Sequence, residues 1–208
     1  MTVQPMIARK QACLKPLLPV RSWLLCSMVV AFFGGGCAVR SEPLQVILFR
    51  HGEKPEDREQ PHLSAEGRER AKALATLLGP SSSLTAGAPV AALYATRITK
   101  HEHSQRTGET LAPLSSALGL PVIASVDSEN YRELAHTILR NPRFRGKTVI
   151  VCWTHHDIAQ LAGALGVRPE PPPWKDKIFD RLWVIDYRSG KAELKDLPQH
   201  LLKGDSKR

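Results

Sequence analysis

Two histidines and two arginines carry the chemistry that this 208-residue chain is equipped for. Arg50 and His51 close the apolar run Leu44-Gln45-Val46-Ile47-Leu48-Phe49 and are followed by Gly52-Glu53. Arg97 and then Arg106 follow a second apolar run over 90–95, and Trp153-Thr154-His155-His156-Asp157 closes a third that starts at 147. A neutral imidazole is a nucleophile, and a guanidinium presents a fork of donors matched to an oxyanion. Histidines and arginines without a carboxylate cluster make a poor magnesium site and a good phosphate site. His101-Glu102-His103 would supply a metal pair but lacks a third ligand nearby, so no metal is expected and the stretch reads as a solvated loop at the site mouth.

Chemistry at three separate places needs elements that bring them together. The runs ending at Arg50, at residue 95 and at Trp153 are rich in β-branched residues and read as strands, the last buried on both faces. Ser64 is suited to cap a helix over 64–78, with Glu66 in its first turn, and Gly79-Pro80 stops it. A helix is expected over 104–118, kinked near Pro113 and ended by Gly119. A short strand over 120–124, a helix over 128–139 capped by Ser128, and a helix over 157–165 complete the alternation. Residues 168–177 form a proline-rich loop, and 181–187 with 191–194 flank Ser189-Gly190 as a hairpin. Strands alternating with helices give an α/β fold with a mostly parallel sheet and an antiparallel edge strand. Parallel strands put their carboxyl ends on one rim, where open α/β sheets bind ligands. The polar residues 198–208 are expected to fray.

On these motifs the chain resembles the histidine phosphatase superfamily, also called the phosphoglycerate mutase-like family. Arg50-His51-Gly52-Glu53 resembles its signature, and Leu63-Ser64-Ala65-Glu66-Gly67-Arg68-Glu69-Arg70-Ala71 its first-helix pattern. Leu93-Tyr94-Ala95-Thr96 with Arg106-Thr107-Gly108-Glu109-Thr110 is similar to the second arginine motif, and Val149 to His155 to the strand that delivers the second histidine. The resemblance spans about residues 44–187. It implies a three-layer α/β/α domain, placed at 44–197, that hydrolyses a phosphate monoester through a phosphohistidine on His51. Arg50, Arg106 and His155 would line the phosphate pocket, and no cofactor is implied. Of the adjacent pair, His155 fits the spacing better than His156. The general acid stays open: Glu129 and Asp127 follow the third strand, with Glu53 and Asp157 as rivals. Two other activities fit the same fold, a catalytically weak phospho-ligand-binding protein and a mutase-type phosphotransferase.

Composition narrows the partners. The net charge is +9, and the first 37 residues carry four basic side chains and no acid. The rest is mildly basic, which suits a small anionic substrate, and no basic-aromatic pattern suggests nucleic acid. Residues 1–37 read as a targeting segment: basic up to Arg21, apolar from Trp23 to Phe33, then Gly34-Gly35-Gly36-Cys37. Small residues before Cys37 resemble a bacterial lipoprotein cleavage box, with a plain signal peptide or an uncleaved anchor as alternatives. The expected location is the periplasm or a membrane anchored through Cys37, with 38–43 as linker. Cys152, alone in the body, reads as a buried, inert thiol.

Overall fold

The computed structural model describes residues 42–57, 59–85, 87–100 and 103–206. The targeting segment with Cys37, most of the linker, and His101 and Glu102 lie outside the described residues. Elements follow in the order β1 (Gln45–Arg50), α1 (Ala65–Leu78), β2 (Val90–Thr96), α2 (Arg106–Leu118), β3 (Val122–Val126), α3 (Tyr131–Arg140), β4 (Thr148–Trp153), α4 (Ile158–Ala164), β5 (Arg181–Asp186) and β6 (Glu193–Pro198).

The apolar runs take the middle of a six-stranded sheet of order β3-β2-β4-β1-β5-β6. Every residue of β1 and β4 is buried, because these strands are covered on both faces. Alternation along β1 sends Val46 and Leu48 into a core with Leu134, Ile138, Ile158 and Leu161 of α3 and α4. Ile47 and Phe49 face the other way, against Leu74, Leu78, Leu111 and Leu114 of α1 and α2. Each such fully buried side chain contributes about 1.5–3 kcal/mol relative to leaving it in water. The result is the expected three-layer α/β/α arrangement.

β1 to β4 run parallel, with Arg50 in register with Trp153, so the carboxyl ends of β1, β4 and β2 share one edge of the sheet. β5 is antiparallel to β1, and β6 pairs antiparallel with β5 to form the edge hairpin. Its second strand starts two residues later than expected and runs on to Pro198. Cys152 is buried and unpaired in β4, opposite Phe49.

Local signals set α1 as expected: the Ser64 hydroxyl accepts the Gly67 N–H at 3.0 Å. Three details differ. α2 passes through Pro113 as one helix. The third strand lies two residues further on than expected. The Ser128 side chain caps nothing: residues Ser128–Asn130 form a single 3-10 turn before α3.

Residues 199–206 are held against the fold rather than frayed. Gln199 is buried, its N–H donating to the Asp180 carbonyl at 2.8 Å and its side-chain amide to Arg181 at 3.0 Å. Asp205 takes two N–H groups of Arg70 at 2.7 and 3.1 Å and caps the Leu201 and Leu202 amides. The cause lies in α1, whose buried stripe is Gly67, Arg70, Ala71, Leu74 and Leu78. A guanidinium in that stripe needs carboxylates beside it, and the terminal segment folds back to supply one.

Candidate active site

β1 ends by handing two charged or polar side chains to the sheet edge, with Arg50 fully buried and His51 nearly so. The chain then leaves the strand through a close backbone crossing. A Cβ on Gly52 would meet the Gly67 carbonyl oxygen at 2.7 Å, and one on Gly67 would meet the Glu53 carbonyl at 2.5 Å. Two glycines therefore let the start of α1 press against the loop behind His51. The Gly52 N–H donates to Thr110 Oγ1 at 2.9 Å, and that hydroxyl donates to the Arg106 carbonyl at 2.6 Å, fastening the loop to α2.

His51 Nδ1 lies 2.7 Å from the Gly52 carbonyl oxygen. A carbonyl only accepts, so Nδ1 carries the proton and Nε2 keeps its lone pair. Burial, together with Arg50, Arg106 and Lys54, pushes the imidazole down to about 3 against the backbone bond. At neutral pH this is an uncharged imidazole of fixed tautomer.

Arg106 opens α2. Its Nε donates to the His62 carbonyl at 3.1 Å and Nη2 to the Gln60 carbonyl, while Thr107 Oγ1 meets Thr96 Oγ1 at 2.7 Å to seat the helix on the end of β2. Arg106 is buried, and its charge acts on both Arg50 and His51. Arg97 goes elsewhere: half-exposed, it pairs with Asp127 through Nε and Nη2, both at 2.8 Å.

β4 delivers His155, which is buried, whereas His156 stacks beside it at 3.8 Å and is exposed. Burial, with Arg50 and His156, lowers His155 to about 4 although Asp176 opposes the shift. The structure thus brings Arg50, His51, Arg106 and His155 to one edge, and of the adjacent pair His155 faces inward.

Three groups at this edge carried no sequence signal. Lys54 lies in a polar loop, Asp176 in the proline-rich loop, and Phe179 beside it, its ring 4.0 Å from the Arg50 guanidinium. Arg50 Nη2 donates to Asp176 Oδ1 at 3.0 Å and Nη1 to the Asp176 carbonyl; Lys54 Nζ lies 3.6 Å and His155 Nε2 3.2 Å from that same Oδ1. Arg50 Nε is buried without a hydrogen-bond partner among the described residues. A cleft of about 420 Å³ lined by Glu53, Lys54, Asp176 and Phe179 opens beside them. A larger cavity of about 550 Å³, lined by Glu42, Leu165, Tyr187 and Lys191, lies by the opposite end of β1 and holds none of these groups.

The carboxylates considered for proton transfer separate. Asp127 is bound by Arg97, Glu53 Oε1 by Arg70 at 2.7 and 2.8 Å, and Asp157 by the Thr154 hydroxyl at 2.9 Å. Glu129 is exposed on the 3-10 turn with no hydrogen bond or ion pair among the described residues. β3 is three strands from β1, but Trp153 Nε1 donates to the Ser128 carbonyl at 3.1 Å, drawing that turn over the end of β4. Among the described residues no group of three His, Cys, Asp or Glu side chains could hold a metal ion.

No protein-family model and no curated protein matches the chain. Solved structures do. A candidate alpha-ribazole-5'-P phosphatase from Escherichia coli K-12 superposes with a TM-score of 0.53 at 15% identity, covering 77% of this chain and 100% of its own. A mycobacterial glucosyl-3-phosphoglycerate phosphatase solved with inorganic phosphate gives 0.49 at 17% identity, covering 73% and 95%. A candidate phosphohistidine phosphatase from Agrobacterium tumefaciens gives 0.44 at 16%, covering 74% and 98%. At such identities the shared property is the fold, and the first of these carries it: this chain has the phosphoglycerate mutase-like α/β fold expected from its motifs.

Proposed function

We propose that the protein is a phosphatase that hydrolyses a small phosphate monoester through a phosphohistidine on His51. The observation that carries this reading is a neutral imidazole whose Nδ1 is tied to the Gly52 carbonyl, set among Arg50, Arg106, Lys54 and His155. Nε2 attacks phosphorus, the bond to the leaving oxygen breaks, and that oxygen takes a proton. Water then attacks the phosphohistidine, returning His51 and releasing phosphate. Arg50 and Arg106 hold the equatorial oxygens in line with Nε2, and His155 donates to the transferring group. Glu129 is assigned as proton donor to the leaving group: it stands at the rim free of the ion pairs that occupy Asp127 and Glu53. Rapid quench of labelled substrate should trap an acid-labile, base-stable phosphoenzyme that His51→Ala abolishes while remaining folded. Full turnover by a folded His51→Ala protein sinks the mechanism.

We also propose that the chain is exported and anchored in a bacterial membrane by lipid on Cys37. Two acyl chains suffice for stable anchoring where one is marginal. Intact mass and fractionation of the native protein test this, and Cys37→Ser should release it or block processing. A cytoplasmic product retaining Met1 refutes it.

A further inference from the structure

Asp176 is delivered to the pocket by a built segment. Trp174 packs on Trp183 with ring centroids 4.7 Å apart, its Nε1 donates to the Ile178 carbonyl at 2.8 Å, and the Ile178 N–H returns to Lys175 at 3.0 Å. Those contacts pin the chain on both sides of residue 176 and aim its carboxylate at the sheet edge. One oxygen, Oδ1, then receives Arg50 Nη2, Lys54 Nζ and His155 Nε2 within 3.0–3.6 Å. Arg50 is held a second time through the Asp176 main-chain carbonyl. The side chain is nonetheless 46% exposed, so rotation about its own bonds carries the carboxylate into water while the main-chain contact to Arg50 stays.

We infer that the Asp176 carboxylate is this pocket's own anion, and that it determines specificity by admitting phosphoryl dianions and turning away singly charged groups. The inference rests on the phosphoryl-pocket reading above. Its logic is an exchange. A dianion that replaces the carboxylate brings one more negative charge to Arg50, Lys54 and Arg106. A monoanion brings none, and it competes with a group already tethered at high effective concentration. Phosphate monoesters, doubly charged at neutral pH, pass this threshold. Phosphodiesters and sulfate esters, singly charged, do not. The same competition weakens the hold on product phosphate and so favours its release.

The experiment measures inorganic phosphate binding by calorimetry at pH 8 in the parent, Asp176→Asn and Asp176→Ala, with melting curves establishing that all three are folded. The expected result is phosphate binding tightened about tenfold or more in both variants, the change that removing one nearby charge produces. Acetate, a free copy of the missing carboxylate, should compete with phosphate in Asp176→Ala and not in the parent. Phosphate binding to the parent that is unchanged or weaker in the folded variants overturns the inference while leaving the phosphatase reading standing. Unchanged phosphate affinity with turnover lost more for alkyl than aryl phosphates also overturns it, since Asp176 would then carry the leaving-group proton. No phosphate binding in any of the three proteins refutes both readings together.

Discussion

Two buried arginines stand within a few residues of the same loop and are treated in opposite ways. Arg70 makes five hydrogen bonds, to Glu53, Gln199 and Asp205, and its charge is held more firmly than in water because these acids outweigh the cost of burial. Arg50, more deeply buried, meets one half-exposed carboxylate and one carbonyl, and its Nε has no partner among the described residues; burial, aided by Arg106, pulls its guanidinium below the usual value. A saturated guanidinium is a structural clamp. An undersatisfied one beside the proposed nucleophile is poised to gain by binding an anion.

That contrast breaks first at Arg70. Arg70→Ala leaves Glu53 and Asp205 buried without their partner, and it should lower the unfolding free energy by about 3–5 kcal/mol in urea titrations. A loss below about 1 kcal/mol would mean that the terminal segment is not held by this clamp. Arg50→Met, which preserves much of the side-chain volume, should leave stability nearly unchanged and cost about 3 kcal/mol of transition-state stabilisation in kcat/KM. Arg106→Ala should cost a similar amount, while Arg97→Ala, whose partner Asp127 lies outside the pocket, should change turnover little. The reverse ranking of Arg106 and Arg97 would relocate the second arginine of the site.

A smaller effect is expected at the crossing that links the two regions. Gly67→Ala drives a methyl into the Glu53 carbonyl and should cost about 1–3 kcal/mol of stability, with a drop in kcat as the His51 loop shifts. The smallest expected signal is an absence: the His51 imidazole should not titrate between pH 8 and pH 5 in NMR spectra of the free protein. A midpoint near 6.5 would contradict its burial among cations. The stability consequence has a definite sign. His51 and His155 fall to about 3 and 4 when folded, against 6.5 unfolded, so the unfolded chain takes up these protons first. Their contribution is complete above pH 6.5 and is lost as pH falls toward 3. Asp205 behaves as a depressed acid, with its carboxyl at about 2 because Arg70 and two amides outweigh burial. Its contribution is lost only as pH falls from 3.8 toward 2. Urea titrations at pH 7, 5 and 3 should show the histidine loss first.

The parts legible in the sequence are those with periodicity or spacing. Apolar runs that end in Arg50-His51 and in Trp153-Thr154-His155 announced two parallel strands and the rim they share, and the turn at Gly79-Pro80 bounded α1. Lys54 and Asp176 were hidden because loop residues have no period, and what holds the Asp176 segment in place is the packing of Trp174 on Trp183. The anchored end was missed for a related reason. A polar segment reads as solvated unless its partner is known. That partner did leave a trace, since Arg70 occupies a helix position on the stripe of Gly67, Ala71, Leu74 and Leu78, where an isolated charge has no business without an acid to meet it.

Cys152 gives the sheet a timekeeper. It is the one cysteine beyond residue 37, fully buried opposite Phe49, and burial pushes its thiol far above the ordinary value. A thiol reagent needs both access and a thiolate, and β4 denies both while it stays paired with β1. In a chain freed of residues 1–37, the rate at which such a reagent labels Cys152 therefore measures how often β1 and β4 come apart. Phosphate bound next to Arg50 should slow that clock in proportion to its occupancy.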